Sequence, residues 1–185
     1  MEIYGSFTSP FVRHIRIVLN QSGLSHTFVE TGMESSAELS PTKKVPFLKD
    51  GDILLSDSQS ILRYIREKLG ETFLPSVEDL DQFCLIDTLL DSSANLFFLE
   101  LNGLKPAEHP YLQRQQQRVV DGLKYLDGQP LSRVGSNVDV MLRLECFLYW
   151  GLFRKRFSIE GLANLQKILR EANEDPMFES TAPPQ

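Results

Sequence analysis

Long apolar runs are missing from this chain: no hydrophobic stretch reaches the ~20 residues that a membrane-spanning helix needs. Cysteine is scarce, with Cys84 and Cys146 the only two in 185 residues and no Cys-x-x-Cys pair. With only three histidines besides, the composition argues against both a disulfide framework and a zinc site, and no metal is expected. Each cysteine reads as a small core residue. A basic surplus is missing too: the formal net charge is −6, which argues against nucleic acid as a partner. There is no internal repeat and no low-complexity segment. The first residues lack the basic start of a secretory signal, so the expected location is cytoplasmic. What is present is ordinary for a globular protein, with 42% hydrophobic and 24% charged residues. The length suits one large domain or two small ones.

The most informative stretch is Ser6-Phe7-Thr8-Ser9-Pro10-Phe11-Val12-Arg13. An apolar strand over 1–4 enters it, and an amphipathic helix leaves it with Ile15, Val18 and Leu19 on one face. Ser9 falls at the N-cap and Pro10 at the first helical position, where its missing N–H is no loss. The Ser9 hydroxyl therefore stands at a helix N-terminus, where backbone N–H groups and the helix dipole favour an anion. Alone, such a serine is a cap. Two further stretches, Lys44-Val45-Pro46-Phe47 and Asp57-Ser58, give it another reading as part of one site.

Along the chain, 26–30 reads as a second strand, parallel to the first by a right-handed crossover. A short helix is expected around 35–39. Residues 45–49 and 53–55 form a hairpin about the Asp50-Gly51-Asp52 turn, and 58–69 is a helix with Ile61, Leu62 and Ile65 inside. After a linker over 70–79 the strand signals cease. Helices are expected over 80–101, 111–126, 137–153 and 158–172, the third the most apolar and so the centre of a bundle. The tail from Thr181 is expected to be loose. The fold class is thus α/β followed by all-α, with domains at 1–72 and 80–185.

A β-α-β unit, a loop, Val-Pro, a hairpin and a helix make up the thioredoxin-like arrangement, here with a mixed four-stranded sheet. With the helical domain behind it, the chain resembles the cytosolic glutathione S-transferases, and among them the bacterial serine-type members. The resemblance rests on residues 4–13, on Lys44-Val45-Pro46-Phe47-Leu48 and on Asp57-Ser58-Gln59-Ser60-Ile61-Leu62. It rests also on Ser136-Asn137-Val138-Asp139 and on Asp175-Pro176-Met177-Phe178. Each motif alone is weak, but together, in order, they are specific and cover nearly the whole chain. The sequence departs from the family at Lys43, where glycine usually precedes the Lys-Val-Pro, and in its short helical domain.

The resemblance implies a glutathione transferase that detoxifies small electrophiles, with glutathione as co-substrate and a homodimer as the assembly. By it, Ser9 donates a hydrogen bond to the glutathione sulfur, with Thr8 as the runner-up. Pro46 is the cis proline, and it turns the Val45 backbone outward to pair with the cysteinyl residue. Asp57 takes the γ-glutamyl ammonium and Ser58 its carboxylate, while Lys44, or Lys43, meets the glycyl end. Phe7, Phe11, Leu96 and Phe97 are candidates for an apolar second-substrate pocket between the domains, though at helical spacing each also reads as core. Ser136 and Asp139 have the spacing of a capping box and are structural. Arg13 carries no assigned role. The alternative is a glutathione-binding or protein-interaction module without turnover.

Overall fold

The computed structural model describes residues 1–134 and 136–184. Its contacts group into two compact units. One is Met1–Phe73 together with the chain from Asn173 onward, and the other is Leu74–Ala172.

The first unit is built on a four-stranded sheet in the order β2-β1-β3-β4, from β1 (Glu2–Gly5), β2 (Thr27–Glu30), β3 (Phe47–Asp50) and β4 (Ile53–Leu55). β1 runs parallel to β2 and antiparallel to β3, and β3 is antiparallel to β4, so the sheet is mixed as the thioredoxin-like arrangement requires. Helix α1 (Pro10–Ser22) is the crossover between β1 and β2. It ends at Gly23, whose φ of 69° is a left-handed C-cap that glycine adopts without steric cost. Helix α2 (Met33–Leu39) precedes β3, and α3 (Ser58–Lys68) packs beside α1. Ile3, Val12, Ile15, Phe47, Leu48, Ile61, Leu62 and Ile65 are all fully buried and form the core of this unit.

β1 and α1 meet at unusually short range. A Cβ on Gly5 would lie 2.6 and 2.7 Å from the two Cγ atoms of Val12, so glycine is required for this approach. It brings the strand end and the first turn of the helix together, and the loop 6–9 joins them.

The short helix α8 (Pro176–Ser180) returns to α1. The sequence division ends the helical domain at 185, whereas the contacts place these last residues with the sheet. Thr181 is fully buried, so the tail is not loose where it begins. Its hydroxyl donates to Phe178 O at 2.9 Å.

The second unit contains α4 (Val77–Leu101), α5 (Pro110–Asp127), α6 (Val138–Phe153) and most of α7 (Ala163–Asn173). α4 opens with a capping box in which Ser76 Oγ accepts from Asp79 N–H and Asp79 returns the bond. α6 is buried along nearly all its length, and its partner in packing is α4. Two ion pairs go inside with it: Arg143 with Asp87 at 3.4 Å, and Arg133 with the fully buried Glu145 at 2.7 Å. α7 starts at residue 163 rather than 158, because Gly161 takes φ 81° and breaks the run of helical residues. Its first turn is capped from a distance by Asp127, whose Oδ1 accepts from the N–H groups of Asn164 and Leu165 at 2.9 and 3.0 Å.

Two expectations are corrected in this unit. The N-cap of α6 is Asn137, not Ser136: Asn137 Oδ1 accepts from Asp139 N–H at 2.9 Å and Val140 N–H at 3.4 Å. Ser136 stands one residue outside, with its Oγ accepting from Ser132 N–H at 3.2 Å, and Asp139 lies buried in the first turn. Cys146 is buried as expected, but Cys84 is exposed on α4. Partial burial, with the carboxylates of Asp87 and Asp81 behind it, pushes the Cys84 thiol above its ordinary pKa. It is therefore a poor nucleophile.

Candidate functional site

Strand register brings the three sequence motifs to one end of the sheet. Tyr4 pairs with Phe47, Ile3 with Leu48, and Leu48 in turn with Leu55. One step further on, the chain leaves β1 at Gly5, enters β3 from Pro46 and leaves β4 at Ser56. The loop bearing Ser9, the Val45–Pro46 segment and the start of α3 therefore share an edge. Thr42 ties two of them together, its hydroxyl donating to Ser56 O at 3.5 Å.

Ser9 is the N-cap of α1. Its Oγ accepts from Val12 N–H at 3.4 Å, and its own N–H donates to Ser6 O at 3.1 Å. The accepting role uses a lone pair and leaves the hydroxyl proton to be donated. Thr8 is held differently: its N–H donates to Ser6 Oγ at 3.3 Å, and its Oγ1 lies 3.1 Å from the same oxygen. The Ser6 hydroxyl thus engages Thr8 and not the Ser9 hydroxyl. Sequence reading passes over Ser6, although Ser-x-Thr before a helix is the spacing of a local serine turn.

The Val45–Pro46 peptide bond is cis, as the resemblance implies. Val45 is half-buried, and among the described residues neither its backbone N–H nor its C=O has a hydrogen-bond partner. Just before it, Lys43 takes φ 55°, the left-handed region that favours glycine. The residue that departs from the family pattern thus stands in a backbone conformation that glycine adopts more readily than lysine. Lys44 is exposed.

Asp57 caps α3. Its Oδ1 accepts from Gln59 N–H at 2.8 Å, while its Oδ2 has no partner among the described residues. Ser58 is buried at the first helical position. One carboxylate oxygen and the first-turn N–H groups of α3 thus stand side by side, suited to a group that carries both an ammonium and a carboxylate.

Of the apolar candidates, Phe7 and Phe11 belong to the first unit and Leu96 and Phe97 to the second. The Phe7 ring rests on Phe28 with centroids 4.7 Å apart and lies under the Arg16 guanidinium at 4.6 Å. Phe11 is half-buried. Phe97 meets Trp150 edge-on at 6.0 Å. Leu96 lines a cavity of about 260 Å³ within the helical unit, walled by Val119 and Leu123 of α5 and by Arg156 and Phe157. Arg156 pairs with Glu100 at its rim.

Among the described residues, no cluster of His, Cys, Asp or Glu is placed to hold a metal ion, and no helix is long and apolar enough to cross a membrane.

A mixed sheet of this order with its cis proline, followed along the chain by a helical unit, defines a thioredoxin-like protein with an all-helical companion. The family model for the N-terminal domain of glutathione S-transferases matches residues 3–73. A zeta-class glutathione S-transferase of Euphorbia esula is 32% identical over 202 residues, covering 99% of this chain and 90% of that one. The chain belongs to the glutathione S-transferase family. The match to a glutathione S-transferase of Triticum aestivum, 32% identical, is shorter: it spans 36% of this chain and about a third (32%) of that protein's length. In structure, a glutathione S-transferase of Methylobacillus flagellatus solved with GSH bound superposes with a TM-score of 0.84, covering 99% of each chain at 20% identity, which shows a shared fold.

Proposed function

We propose that this chain binds reduced glutathione at the shared edge of its sheet and that Ser9 activates the thiol for attack on a small electrophile. The observation that carries the reading is the convergence there of Ser9, Val45, Asp57 and Ser58. The unpaired backbone groups of Val45 suit the cysteinyl residue, as one more extended strand would. Asp57 Oδ2 suits the γ-glutamyl ammonium, while the α3 N-terminus with Ser58 suits its carboxylate. Lys44 supplies a cation for the glycyl carboxylate.

A free thiol with a pKa of about 8.5 is only a few per cent thiolate at neutral pH. A donated O–H bond from Ser9, at the positive end of α1, stabilises the thiolate and lowers that pKa. The thiol proton leaves to solvent. The sulfur lone pair then forms the C–S bond, while the electrophile either expels its leaving group or takes up a proton. Proximity and thiolate activation make up the mechanism, with no covalent protein intermediate. Ser9 is preferred to Thr8 because Ser6 already engages the Thr8 hydroxyl. A cytoplasmic homodimer of the bacterial serine type belongs to the same proposal and rests on the family resemblance.

Calorimetric titration with reduced glutathione tests the site, with ultraviolet absorbance following the bound thiolate. The wild type is expected to bind, Asp57→Ala to lose binding, and Ser9→Ala to bind without the thiolate band. No heat from the wild type, with no competition by S-alkyl glutathiones, removes the enzymatic reading. A thiolate band that survives in Ser9→Ala and disappears in Thr8→Val moves the activating role to Thr8.

A further inference from the structure

We infer that the C-terminal segment 175–181 is a positioning element for Ser9, acting through Arg13 and Arg16 of α1. The inference rests on the proposed role of Ser9 and extends it to residues that touch no substrate.

Arg13 closes the first turn of α1, its backbone N–H donating to Ser9 O at 3.0 Å. Its side chain is almost fully buried, at 3% exposure, and reaches the returning helix α8. One terminal nitrogen donates to Phe178 O at 2.7 Å and Nε donates to Thr181 Oγ1 at 3.3 Å. The guanidinium lies 3.7 Å from the centroid of the buried Phe178 ring. A flat cation stacked on a ring and bonded at its edge is held in one orientation.

Arg16, one turn on, donates to Thr181 O at 3.2 Å. Its other contacts lead back to the site: its guanidinium lies over the rings of Phe7 and Phe28, at 4.6 and 5.4 Å. Phe7 sits in the loop 6–9, two residues before Ser9. The segment 175–181 therefore braces Ser9 from both sides, through Arg13 at the helix turn and through Arg16 and Phe7 at the loop.

Two arginines so close repel one another, and the end of the segment gives each its own carbonyl, Phe178 O for Arg13 and Thr181 O for Arg16. Carbonyls at a helix end lack intrahelical donors and attract cations. Burial, with the charge of Arg13 behind it, lowers the pKa of Arg16. The two contiguous motifs left without a function, Arg13 after Ser9 and Asp175-Pro176-Met177-Phe178, are the two halves of this brace.

The test uses the full chain with Arg13→Met, Arg16→Met and Arg16→Lys, the last keeping a cation over Phe7. Urea midpoints first establish which variants fold; Arg16 is only half-buried, so its substitution keeps the experiment informative where Arg13→Met does not fold. The readouts are the pH titration of the bound thiolate, glutathione affinity, and hydrogen exchange of the Val12 amide that bonds Ser9 Oγ. Arg16→Met is expected to bind glutathione within about twofold of wild type and to raise the thiol pKa by about half a unit, so that the thiolate-to-thiol ratio at any fixed pH falls about threefold. Val12 exchange should quicken about threefold or more, and Arg16→Lys should restore most of both. A lowered urea midpoint with unchanged thiol titration and unchanged Val12 exchange overturns the inference, because Arg16 is then only structural. If the wild type shows no bound thiolate, the functional reading fails, and unchanged Val12 exchange in folded Arg16→Met overturns the positioning role separately.

Discussion

Gly5→Ala should weaken the fold and disturb Ser9 together, through one contact. The added Cβ would lie 2.6 and 2.7 Å from the Val12 methyls and 3.3 Å from the edge of the Phe28 ring, where ordinary contact is 3.4–4 Å. Relief requires α1 to retreat from β1 by about 1 Å, and overpacking of this kind costs about 1–3 kcal/mol. Alanine recovers about 0.4–1 kcal/mol by restricting the unfolded chain. The net expectation is a loss of about 1–2 kcal/mol. With a urea m-value of about 2 kcal/mol/M, the midpoint falls by about 0.5–1 M.

Val12→Ala provides the control. Val12 is fully buried, and losing both methyls should cost about 2–3 kcal/mol in transfer and cavity terms. In the double variant the new methyl at position 5 enters the space that Val12 vacates, so adding Gly5→Ala should then cost almost nothing. A coupling of about 1–2 kcal/mol is expected from urea denaturation of all four proteins at one concentration. If the two losses simply add, the clash with Val12 is not why position 5 needs glycine. The Val12 amide bonds Ser9 Oγ, so Gly5→Ala should also raise the pKa of bound glutathione, and the double variant should reverse much of that rise.

Asn137→Ala should destabilise the chain by about 0.5–2 kcal/mol through loss of the α6 cap, and Ser136→Ala should do less; urea midpoints decide between the two. Asp50 gives a pH-dependent term. The Tyr64 hydroxyl, at 2.7 Å, and the Lys68 ammonium, at 3.0 Å, hold its carboxyl below the ordinary value. Its contribution is therefore full above its unfolded pKa of about 4 and is lost as pH falls through the lower folded value. Asp50→Asn should flatten the acid limb of a midpoint-against-pH curve and leave its shape near neutrality unchanged; an identical acid limb refutes this. Lys43→Gly relieves a left-handed lysine, so it should leave stability unchanged or raise it by up to ~1 kcal/mol, read as a small upward shift in melting temperature.

Element types are legible in this sequence because local signals agree with tertiary ones. Ser9-Pro10 and Asp57-Ser58 each pair a cap with an apolar helical face, and both helices start where those residues stand. β3 begins at Phe47 rather than Val45, since Pro46 has no N–H to give a ladder. The start of α7 is misread because Ile159 and Leu162 keep a helical spacing across Gly161. Ser136 and Asn137 are adjacent residues with similar capping chemistry, and spacing alone does not separate them. Cys84 sits among apolar residues, yet Phe83, Ile86 and Leu90 turn inward and leave it on the outer face. The motifs of the site are legible, but its bracing is not: Arg13 and Phe178 are 165 residues apart, and neither carries a local sign of the other.

Asp127 illustrates how helix ends can enforce order in assembly. It is the last residue of α5, where the dipole is negative and a carboxylate is unwelcome, yet it accepts from the first-turn N–H groups of α7, where a carboxylate is favoured. Its backbone carbonyl also accepts from the Asn164 side-chain amide. The same charge thus opposes α5 until α7 arrives and supports both afterwards. A chain cut between the two helices would lose more than covalent continuity: the α5 fragment would fray at its own carboxylate, and adding back a peptide with the α7 sequence would refold that end. The chain just after Asp127 is accordingly a poor place to open for permutation.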